Sequence, residues 1–279
     1  MHFALIGDKH VEAAHGLSGA VCPGCGASVI AKCGTQKVHH WSHRNIKMCD
    51  NWWETETEWH RKWKNNFPGE WQEVFLPDEQ TGEKHIADVR TEHGLVIEFQ
   101  YSHITPEERT SRERFYKTMV WVVDGTRLQR DLPRFVKGGK FQPKELKPGI
   151  MHIDFANDYF PRNWLNSSVP VVFDFLGLDT IDSASDIRDC LYCLFPSHDE
   201  CKAVFAIIPR KTFIRTVFNG EWNIHSRAFM DEMEAEWREK QQMREKWRLR
   251  LADTANNRDE IYRTFYSQPL DYWKRYGRE

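Results

Sequence analysis

The middle of the chain alternates between helical and strand-like patterns of hydrophobic and polar positions. Residues 52–66 carry tryptophans at helical spacing among charged side chains, and the pattern ends before the Pro68-Gly69 breaker. Three runs of strand-like character follow, then a second helical pattern and a short apolar run. The predicted order is α-β-β-β-α-β, over residues 52–66, 71–77, 84–90, 95–102, 105–119 and 120–125. The tryptophans expected on the buried face of the first helix are Trp52, Trp59 and Trp63.

The segments on either side of this core have different patterns. Residues 1–50 are rich in Gly, Cys and His and contain short strand-like pieces. Residues 127–150 are basic and are predicted to be loop-like, residues 151–225 mix short strands with a helix, and residues 226–251 predict a long charged helix. We therefore expect four parts, namely a module at 1–50, a core at 51–126, a basic linker at 127–150 and a mixed α/β region at 151–279.

Two acidic residues stand inside the second and third predicted strands. If residues 92–94 form a three-residue hairpin loop with Gly94 in the left-handed conformation, Asp88 lies directly opposite Glu98. Opposed side chains share a face with Cβ atoms about 5 Å apart, so the two charges repel each other unless a divalent cation bridges them. A loop of two or four residues would place them on opposite faces. The simpler alternative is an exposed sheet face on which acidic residues are ordinary.

Composition and charge limit the class of protein. Of the 279 residues, 40% are hydrophobic and 29% are charged, which is typical of a globular chain. The formal net charge of −2 provides no general attraction to nucleic acid, so any such binding needs local basic patches. No apolar run approaches the ~20 residues of a membrane helix, and the N-terminal apolar stretch is too short for a secretory signal. Seven cysteines, an odd number, fit reduced thiols or metal ligands. We expect a cytoplasmic protein without membrane association.

Two pairs of metal-ligating residue types occur near the N-terminus. Cys22 and Cys25 are separated by two residues, as are His40 and His43. Two such pairs with a loop between them predict a structural Zn²⁺ site with two sulfur and two nitrogen ligands. The alternative is a reduced cysteine pair beside surface histidines. Rival ligands in the same segment are Cys33, His39 and Cys49.

A second group has similar spacing near residue 195. It consists of Cys190, Cys193, His198 and Cys201. The apolar residues around these cysteines recur at helical spacing, and free cysteine is a common core residue. We therefore favour an apolar helix face over a second metal site, which the spacing alone leaves open.

Three ionisable residues share one face of the first predicted helix. Glu56, His60 and Lys64 follow one another at intervals of four residues, so the helix stacks their side chains. Such pairs stabilise exposed helices by roughly 0.2–0.5 kcal/mol, and a solvated face is the simpler explanation. A site on this face is the alternative.

The ordered set of motifs resembles the CoiA-like competence proteins, a predicted nuclease family within the PD-(D/E)xK superfamily. An acid in one strand of a hairpin followed by Glu-x-Gln in the next is similar to the core of that superfamily. The similarity covers roughly residues 1–126. Its motifs are "CPGC" at 22–25, "HHWSH" at 39–43, Glu56-x3-His60-x3-Lys64, "ADV" at 87–89, "IEFQYS" at 97–102, Arg112-x3-Tyr116 and "VWVVDG" at 120–125.

This resemblance implies an α/β fold. The expected architecture is a PD-(D/E)xK restriction-endonuclease-like core with an N-terminal, zinc-ribbon-like zinc-binding module and a mixed α/β C-terminal part ending in a long helix. A similar Cys pair and His-x2-His in the family favour His40 over His39 as a zinc ligand.

The resemblance also implies a catalytic site. Asp88 and Glu98 would hold Mg²⁺ or Mn²⁺, and Glu56 would be the acid that the helix contributes. Gln100 stands where most nucleases of this fold have Lys, and a Gln side chain cannot accept a proton. Activation of water would then fall to the cation or to Lys64. The implied catalytic set is Glu56, His60, Lys64, Asp88, Glu98 and Gln100.

The function implied is metal-dependent hydrolysis of DNA phosphodiester bonds by an (endo)deoxyribonuclease. Its context would be DNA uptake and recombination, or defence against foreign DNA. Two alternatives are a catalytically inactive nucleic-acid-binding protein on a degenerate nuclease fold and a structural or regulatory protein built on the long helix.

Candidate partners are DNA, a second copy of the chain and a recombination or defence protein. The second copy could pair antiparallel through the long helix, with its acidic first half against a basic second half. DNA phosphates would be bound by cationic side chains. The candidates are Arg109, Arg112, Lys117, Arg127, Arg130 and Arg134.

Overall fold

The chain is organised around a mixed β-sheet whose strands lie between residues 72 and 209. The structure, a computed structural model, describes residues 1–44, 50, 52, 56–78, 82, 84–138, 143–181, 183, 186–199 and 201–266, with the backbone alone at 251–266. The strands are β1 (Phe3–Ile6), β2 (Lys9–Glu12), β3 (Val29–Lys32), β4 (His40–His43), β5 (Gln72–Pro77), β6 (Lys84–Arg90), β7 (Val96–Gln100), β8 (Met119–Asp124), β9 (Lys144–Lys147), β10 (Ile150–Asp154), β11 (Val171–Asp174), β12 (Cys190–Leu194) and β13 (Lys202–Pro209). The helices are α1 (Glu58–Lys64), α2 (Pro106–Tyr116), α3 (Asp131–Gly138), α4 (Arg162–Leu165), α5 (Arg210–Phe218) and α6 (Glu221–Tyr266).

The large sheet has the strand order β5-β6-β7-β8-β11-β12-β13-β10-β9. The pairs β7–β8 and β8–β11 are parallel, and the other neighbours are antiparallel. Every residue of β7, β8 and β11 is buried. Central parallel strands are covered on both faces, which explains why these runs are almost continuously apolar. Acidic residues within them are therefore exceptional and need a physical reason.

The predicted order of the core elements, from α1 to β8, is present in the structure, but the predicted start of the first helix is wrong. Helix α1 begins at Glu58, because the Thr57 hydroxyl caps it by accepting from the backbone N–H of His60. Trp59 and Trp63 are buried on its inner face as expected. Trp52 precedes the helix and stacks on His85, with ring centroids 3.2 Å apart.

Residues 127–150, expected to be a basic linker, contain ordered elements instead. Helix α3 buries Phe135 among the aromatic side chains of the main core. Strands β9 and β10 extend the sheet beyond β13. The segment was predicted to be loop-like because of its many basic residues, although apolar residues recur at helical spacing around Phe135. The sheet consequently runs through the expected boundaries at residues 126 and 150, and the chain divides into compact units at 1–226 and 227–279.

The prediction of a helix around Cys190 is also wrong. Residues 190–194 form strand β12, whose central position between β11 and β13 buries Cys193 completely. Short apolar runs do not distinguish a buried strand from a helix by periodicity alone. Burial raises the pKa of the Cys193 thiol, and in the described part of the chain the second Cys/His group does not converge on a metal position.

The N-terminal module consists of two hairpins, β1–β2 and β3–β4, with a small core of its own. Its core side chains include Ala4, Val29 and Trp41. The module packs on the edge of the large sheet, where Phe75 of β5 lies against Gly24. A Cβ atom at Gly24 would come within 1.7 Å of the Phe75 ring, so a side chain there would separate the module from the sheet.

Helix α6 confirms the expected long charged helix and continues to Tyr266. Within residues 227–250 its surface carries pairs such as Arg238–Glu234 and Lys240–Glu236 at i, i+4 spacing. Exposed apolar side chains on the same segment include Trp237, Met243 and Trp247. Among the described residues, no helix combines the length and the hydropathy that crossing a bilayer requires.

Asp174 at the end of β11 anchors helix α1 to the sheet. Its fully buried carboxylate accepts from the indole N–H groups of Trp59 and Trp63, at 3.0 and 2.8 Å, and pairs with Arg210. Burial by itself would raise the pKa of Asp174, but Arg210 and the indoles lower it, so the carboxylate is charged.

Replacing Asp174 by Ala is expected to destabilise the protein by about 3–5 kcal/mol, because it strands the Arg210 charge and two indole donors. Urea denaturation measures this loss. Asp154→Ala, an exposed acid near Lys202, is the matched control and should change the free energy of unfolding by less than about 1 kcal/mol. Equal effects of the two substitutions would contradict the anchoring role.

Candidate functional site

The acidic residues of the hairpin lie opposite each other. The backbone N–H of Thr91 donates to Leu95 O at 2.9 Å, and Gly94 has a φ of 79°, which confirms the expected three-residue loop. Strands β6 and β7 pair Arg90 with Val96 and Val89 with Ile97, and the next position of the same register sets Asp88 opposite Glu98. Both side chains line the same cavity. The fold therefore places the two carboxylates on one face of the sheet.

The backbone ladder is interrupted at this pair. Asp88 N–H donates to Glu98 Oε1 at 3.2 Å, and Phe99 N–H donates to Asp88 Oδ2 at 3.0 Å. Each carboxylate thus accepts an N–H group from the opposite strand. These bonds orient both acids toward each other and leave carboxylate lone pairs for a further ligand.

A third acid, Glu73, was missed by the sequence interpretation. Together with Asp88 and Glu98 it forms a row of acidic side chains across strands β5, β6 and β7, the acid row. Strands β5 and β6 pair Gln72 with Val89 and Val74 with Ala87, which places Glu73 opposite Asp88. Glu73 has a φ of 52°, a left-handed conformation that costs on the order of 1 kcal/mol or more for a side-chain-bearing residue. A single acid within the run 71–77 was the available sequence signal.

The N-terminal module holds the Glu73 carboxylate. The backbone N–H groups of His2 and Phe3 donate to it at 2.7–3.1 Å. Burial opposes ionisation, but Lys64, the terminal amine and these N–H groups lower the pKa of Glu73 to about 2. The module therefore completes the site, because it stabilises a buried charge on the neighbouring sheet edge.

The positive charge beside these acids comes from Lys64 at the end of α1. Its ammonium is 2.7 Å from Glu56 Oε1, 3.2 Å from Glu73 Oε1 and 3.9 Å from Asp88 Oδ1, and its side chain is 2% exposed. Burial would lower the pKa of Lys64, but the three acids raise it well above its usual range. Lys64 is therefore a permanent cation within the site.

Glu56 meets Lys64 in a different way from that expected. It precedes the N-cap of α1 and does not lie on the helix, yet the backbone turns so that its carboxylate reaches both Lys64 and Arg61. Burial opposes ionisation of Glu56, but Lys64 and Arg61 lower its pKa. The stacked helical face of Glu56, His60 and Lys64 is therefore wrong as geometry, although Glu56 and Lys64 are in contact.

A second cation, Arg112 of α2, neutralises the other end of the row. Its Nη1 atom is 3.0 Å from Glu98 Oε2. Its Nη2 atom pairs with Glu108 and donates to the Trp52 carbonyl at 2.7 Å. Burial and the charge of Asp88 nevertheless raise the pKa of Glu98 to about 8, against the opposing effect of Arg112. Arg112 therefore does not offset the combined effect of burial and the Asp88 charge on Glu98.

The remaining residues of the expected catalytic set, His60 and Gln100, make hydrogen bonds that hold the elements around the site together. His60 Nδ1 accepts from the backbone N–H of Thr57, and Nε2 lies 2.8 Å from Phe99 O, so the ring ties α1 to β7. Gln100 is buried on the same face of β7 as Glu98, and its amide donates to Ser102. Gln100 does not line the cavity, whereas His60 does.

The cavity above the acid row has a volume of about 50 Å³. It is large enough for a small number of water molecules. Asp50 also lines it, and this buried acid is 3.0 Å from His85 Nδ1 and accepts the N–H groups of Trp52 and Ile86. The charged residues around the cavity are Asp50, Glu56, Lys64, Glu73, Asp88, Glu98 and Arg112.

The chemistry of the acid row suits a hard divalent cation. Mg²⁺ and Mn²⁺ take carboxylate oxygens, keep several waters and bind phosphate. Within the described residues, the acids of the row do not form a set of three whose donor atoms all lie within 4.8 Å of one another. The row can therefore offer Asp88 and Glu98 as a pair of protein ligands, with the other positions left to water or substrate.

Two of the expected DNA-binding residues have structural roles. Arg109 is buried, and its guanidinium donates to the carbonyls of Asn163 and Asn166. Arg112 is buried against Glu98. Their spacing on α2 turns both side chains toward the core, so neither presents its charge to a phosphate in this structure. Of the other candidates, Lys117, Arg127 and Arg130 are exposed, and Arg134 is half-buried beside Asp131.

A different donor set occurs in the N-terminal module. The ligand atoms of Cys22, Cys25 and His43 lie within 4.8 Å of one another, and Cys25 Sγ is 3.3 Å from His43 Nε2. In a tetrahedral zinc site such atoms are roughly 3.5–4 Å apart. Burial lowers the pKa of His43, which favours the neutral imidazole that binds metals. The three residues fit Zn²⁺ as a partial ligand set.

His40, expected as the fourth ligand, is outside this cluster. Residues 40 and 43 both belong to β4, and side chains three apart on a strand point to opposite faces about 10 Å apart along the chain. His40 Nδ1 instead lies 2.9 Å from Val38 O. Cys33 and His39 are also outside the cluster, and Cys49 lies outside the described residues.

Comparison with known proteins finds one family. Residues 10–51 match the model of the N-terminal domain of competence protein CoiA. The chain has no match among curated proteins and none among solved structures. The matched segment contains Cys22, Cys25 and His43 and ends before the acid row. The match confirms, over this segment, the resemblance of the chain to the CoiA-like competence protein family.

Proposed function

We propose that this protein is a Mg²⁺- or Mn²⁺-dependent (endo)deoxyribonuclease with a PD-(D/E)xK-type core. It hydrolyses DNA phosphodiester bonds in DNA uptake and recombination, or in defence against foreign DNA. The match to the CoiA N-terminal domain supports a competence-related role. The observation that carries the proposal is the Asp88–Glu98 pair, two carboxylates on one face of the sheet that line the same cavity.

Asp88 and Glu98 would hold the divalent cation in this proposal. A bound cation supplies polarisation of the phosphate and activation of water. Lys64 keeps its proton, so we assign it a role as a fixed charge facing the phosphate rather than as a base. His60 and Gln100 support the strand that presents Glu98, and Glu56 holds Lys64 in place.

DNA would approach through exposed cations rather than through the buried arginines of α2. Lys117, Arg127 and Arg130 remain the candidates for phosphate contacts, because their side chains are exposed. Zn²⁺ at Cys22, Cys25 and His43 would stabilise the module that supports Glu73. Its role is structural and separate from the chemistry of the acid row.

Two observations favour a second candidate function. Arg112 already pairs with Glu98, and Gln100 replaces the lysine typical of this fold. A protein of this kind could bind nucleic acid on a degenerate nuclease fold without cleaving it. The two functions differ in whether a cation displaces Arg112 from Glu98 and permits turnover.

Cleavage assays with Mg²⁺, Mn²⁺ or EDTA test the proposal on single- and double-stranded DNA and RNA. We expect DNA cleavage that needs the cation, stops in EDTA and is absent from Asp88→Asn, which is purified in parallel to exclude a contaminating nuclease. Cation-independent cleavage would contradict the proposed site. DNA binding without cleavage under every cation condition would favour the inactive binding protein.

A further inference from the structure

The Lys64 ammonium occupies the position that a second metal ion would take, among the carboxylates that would be its ligands. Two-metal nuclease sites hold cations about 3.5–4 Å apart with carboxylates around both. Along the strand order β5-β6-β7, Asp88 lies between Glu73 and Glu98. On the Glu73 side of Asp88, the acids surround the Lys64 ammonium at 2.7–3.9 Å. On the Glu98 side, the pair borders the cavity.

The charges of the row match one divalent cation. The five acids that line the cavity, Asp50, Glu56, Glu73, Asp88 and Glu98, face three basic side chains and the terminal amine of Met1, which leaves a net charge of −1 when every group is ionised. The three basic residues are Arg61, Lys64 and Arg112. One divalent cation brings the total to +1 and a second to +3, and uncompensated charge is costly in a buried site. A second ion would also have to displace an ammonium that is 2% exposed.

Glu73 keeps Lys64 in this position. Its strained φ of 52° and the donated N–H groups of His2 and Phe3 direct its carboxylate to Lys64. Without the Glu73 charge, the ammonium would retain Glu56 and be drawn closer to Asp88. It would then compete with a cation for the Asp88 carboxylate.

We propose that the acid row takes a single divalent cation at Asp88 and Glu98, and that Lys64, clamped by Glu56 and Glu73, is a built-in replacement for a second metal ion. Glu73 is accordingly a positioning residue. The inference rests on the proposed nuclease function for its cation, but it concerns the number of ions and their place, which binding measurements read without turnover.

The experiment counts Mn²⁺ bound to the full chain, first loaded with Zn²⁺, by calorimetric titration and by electron paramagnetic resonance of free Mn²⁺. We expect one Mn²⁺ for the wild type. Lys64→Met empties the space between three carboxylates and should raise the number to two. Lys64→Arg, the matched control, keeps the charge and should remain at one.

The outcomes separate the inference from the function on which it rests. Two Mn²⁺ in the wild type would overturn the inference and leave the nuclease proposal intact, whereas no Mn²⁺ together with absent cleavage would contradict both. Unchanged stoichiometry in a folded Lys64→Met protein would also overturn it. If Lys64→Met does not fold, as judged by circular dichroism, the number of Mn²⁺ ions bound by the wild type decides between one and two metal positions.

Glu73→Gln tests the positioning role. We expect the stoichiometry to stay at one while Mn²⁺ binds about tenfold more weakly or worse, because Lys64 moves toward Asp88. Glu12→Gln removes an exposed acid from the N-terminal module that holds Glu73 and is the matched control. A lower melting temperature for Glu73→Gln with unchanged Mn²⁺ affinity would show that Glu73 is merely structural.

Discussion

Replacing Glu98 by Gln is expected to abolish cation-dependent cleavage and to leave the protein as stable as the wild type, or more stable, in EDTA. Gln retains an oxygen that can accept the Asp88 N–H group but lacks the charge that binds a cation. The loss of activity should exceed about a hundredfold, since outer-shell partners of metal sites alone are worth 10–100-fold. Repulsion by Asp88 disappears, which offsets the lost pair with Arg112.

The pH dependence of stability gives a second readout of the same substitution. The pKa of Glu98 is raised to about 8 in the folded protein without cation, while Glu in an unfolded chain titrates near 4.3. Between these values the native state binds more protons than the unfolded state. Stability should therefore fall as the pH rises through this window, by up to about 1.4 kcal/mol per pH unit. Glu98→Gln should lose this slope.

Glu108→Gln is the matched control for this experiment. Glu108 also pairs with Arg112 but is outside the cavity, so its loss should leave cleavage and the pH slope unchanged. Denaturant unfolding in EDTA from pH 5 to pH 9 and cleavage with saturating Mn²⁺ measure both effects. Wild-type cleavage by Glu98→Gln would refute a cation held by Asp88 and Glu98.

Replacing Cys22 and Cys25 together by Ser is expected to remove bound zinc and to unfold the N-terminal hairpins. Structural Zn²⁺ contributes apparent binding energies of about 10–16 kcal/mol in small zinc domains, far more than the few buried side chains of this module. The large sheet should stay folded, because its apolar core is separate. Metal analysis and hydrogen exchange of residues 1–44 measure the two effects.

The histidines provide a sharper control. His43→Ala should lose zinc, whereas His40→Ala and Cys33→Ser should retain one equivalent, because of these three described residues His43 alone belongs to the cluster with Cys22 and Cys25. Zinc lost from His40→Ala and kept by His43→Ala would reverse the assignment. Full zinc retention by the double cysteine variant would contradict the site altogether.

The register of the acidic hairpin was predictable from the sequence because its causes are local. A three-residue loop with Gly94 in the left-handed conformation sets which residues face each other, and strand alternation then places Asp88 and Glu98 on one face. The order of elements from α1 to β8 followed from periodicity in the same way. Even the start of α1 had a local signal, since Thr57 is a preferred N-cap residue.

The charges around that pair were decided by tertiary structure. Glu73 joins the row through the pairing of β5 with β6, and its carboxylate is held by N–H groups about seventy residues earlier in the chain. Arg112 turns inward because Glu98 and the Trp52 carbonyl meet it there. The extension of the sheet to β9 likewise depends on pairing with a distant strand. Periodicity in the sequence specifies which face a residue occupies on its own element, whereas the partner of a buried charge is set by which elements pack together, and that is a long-range property.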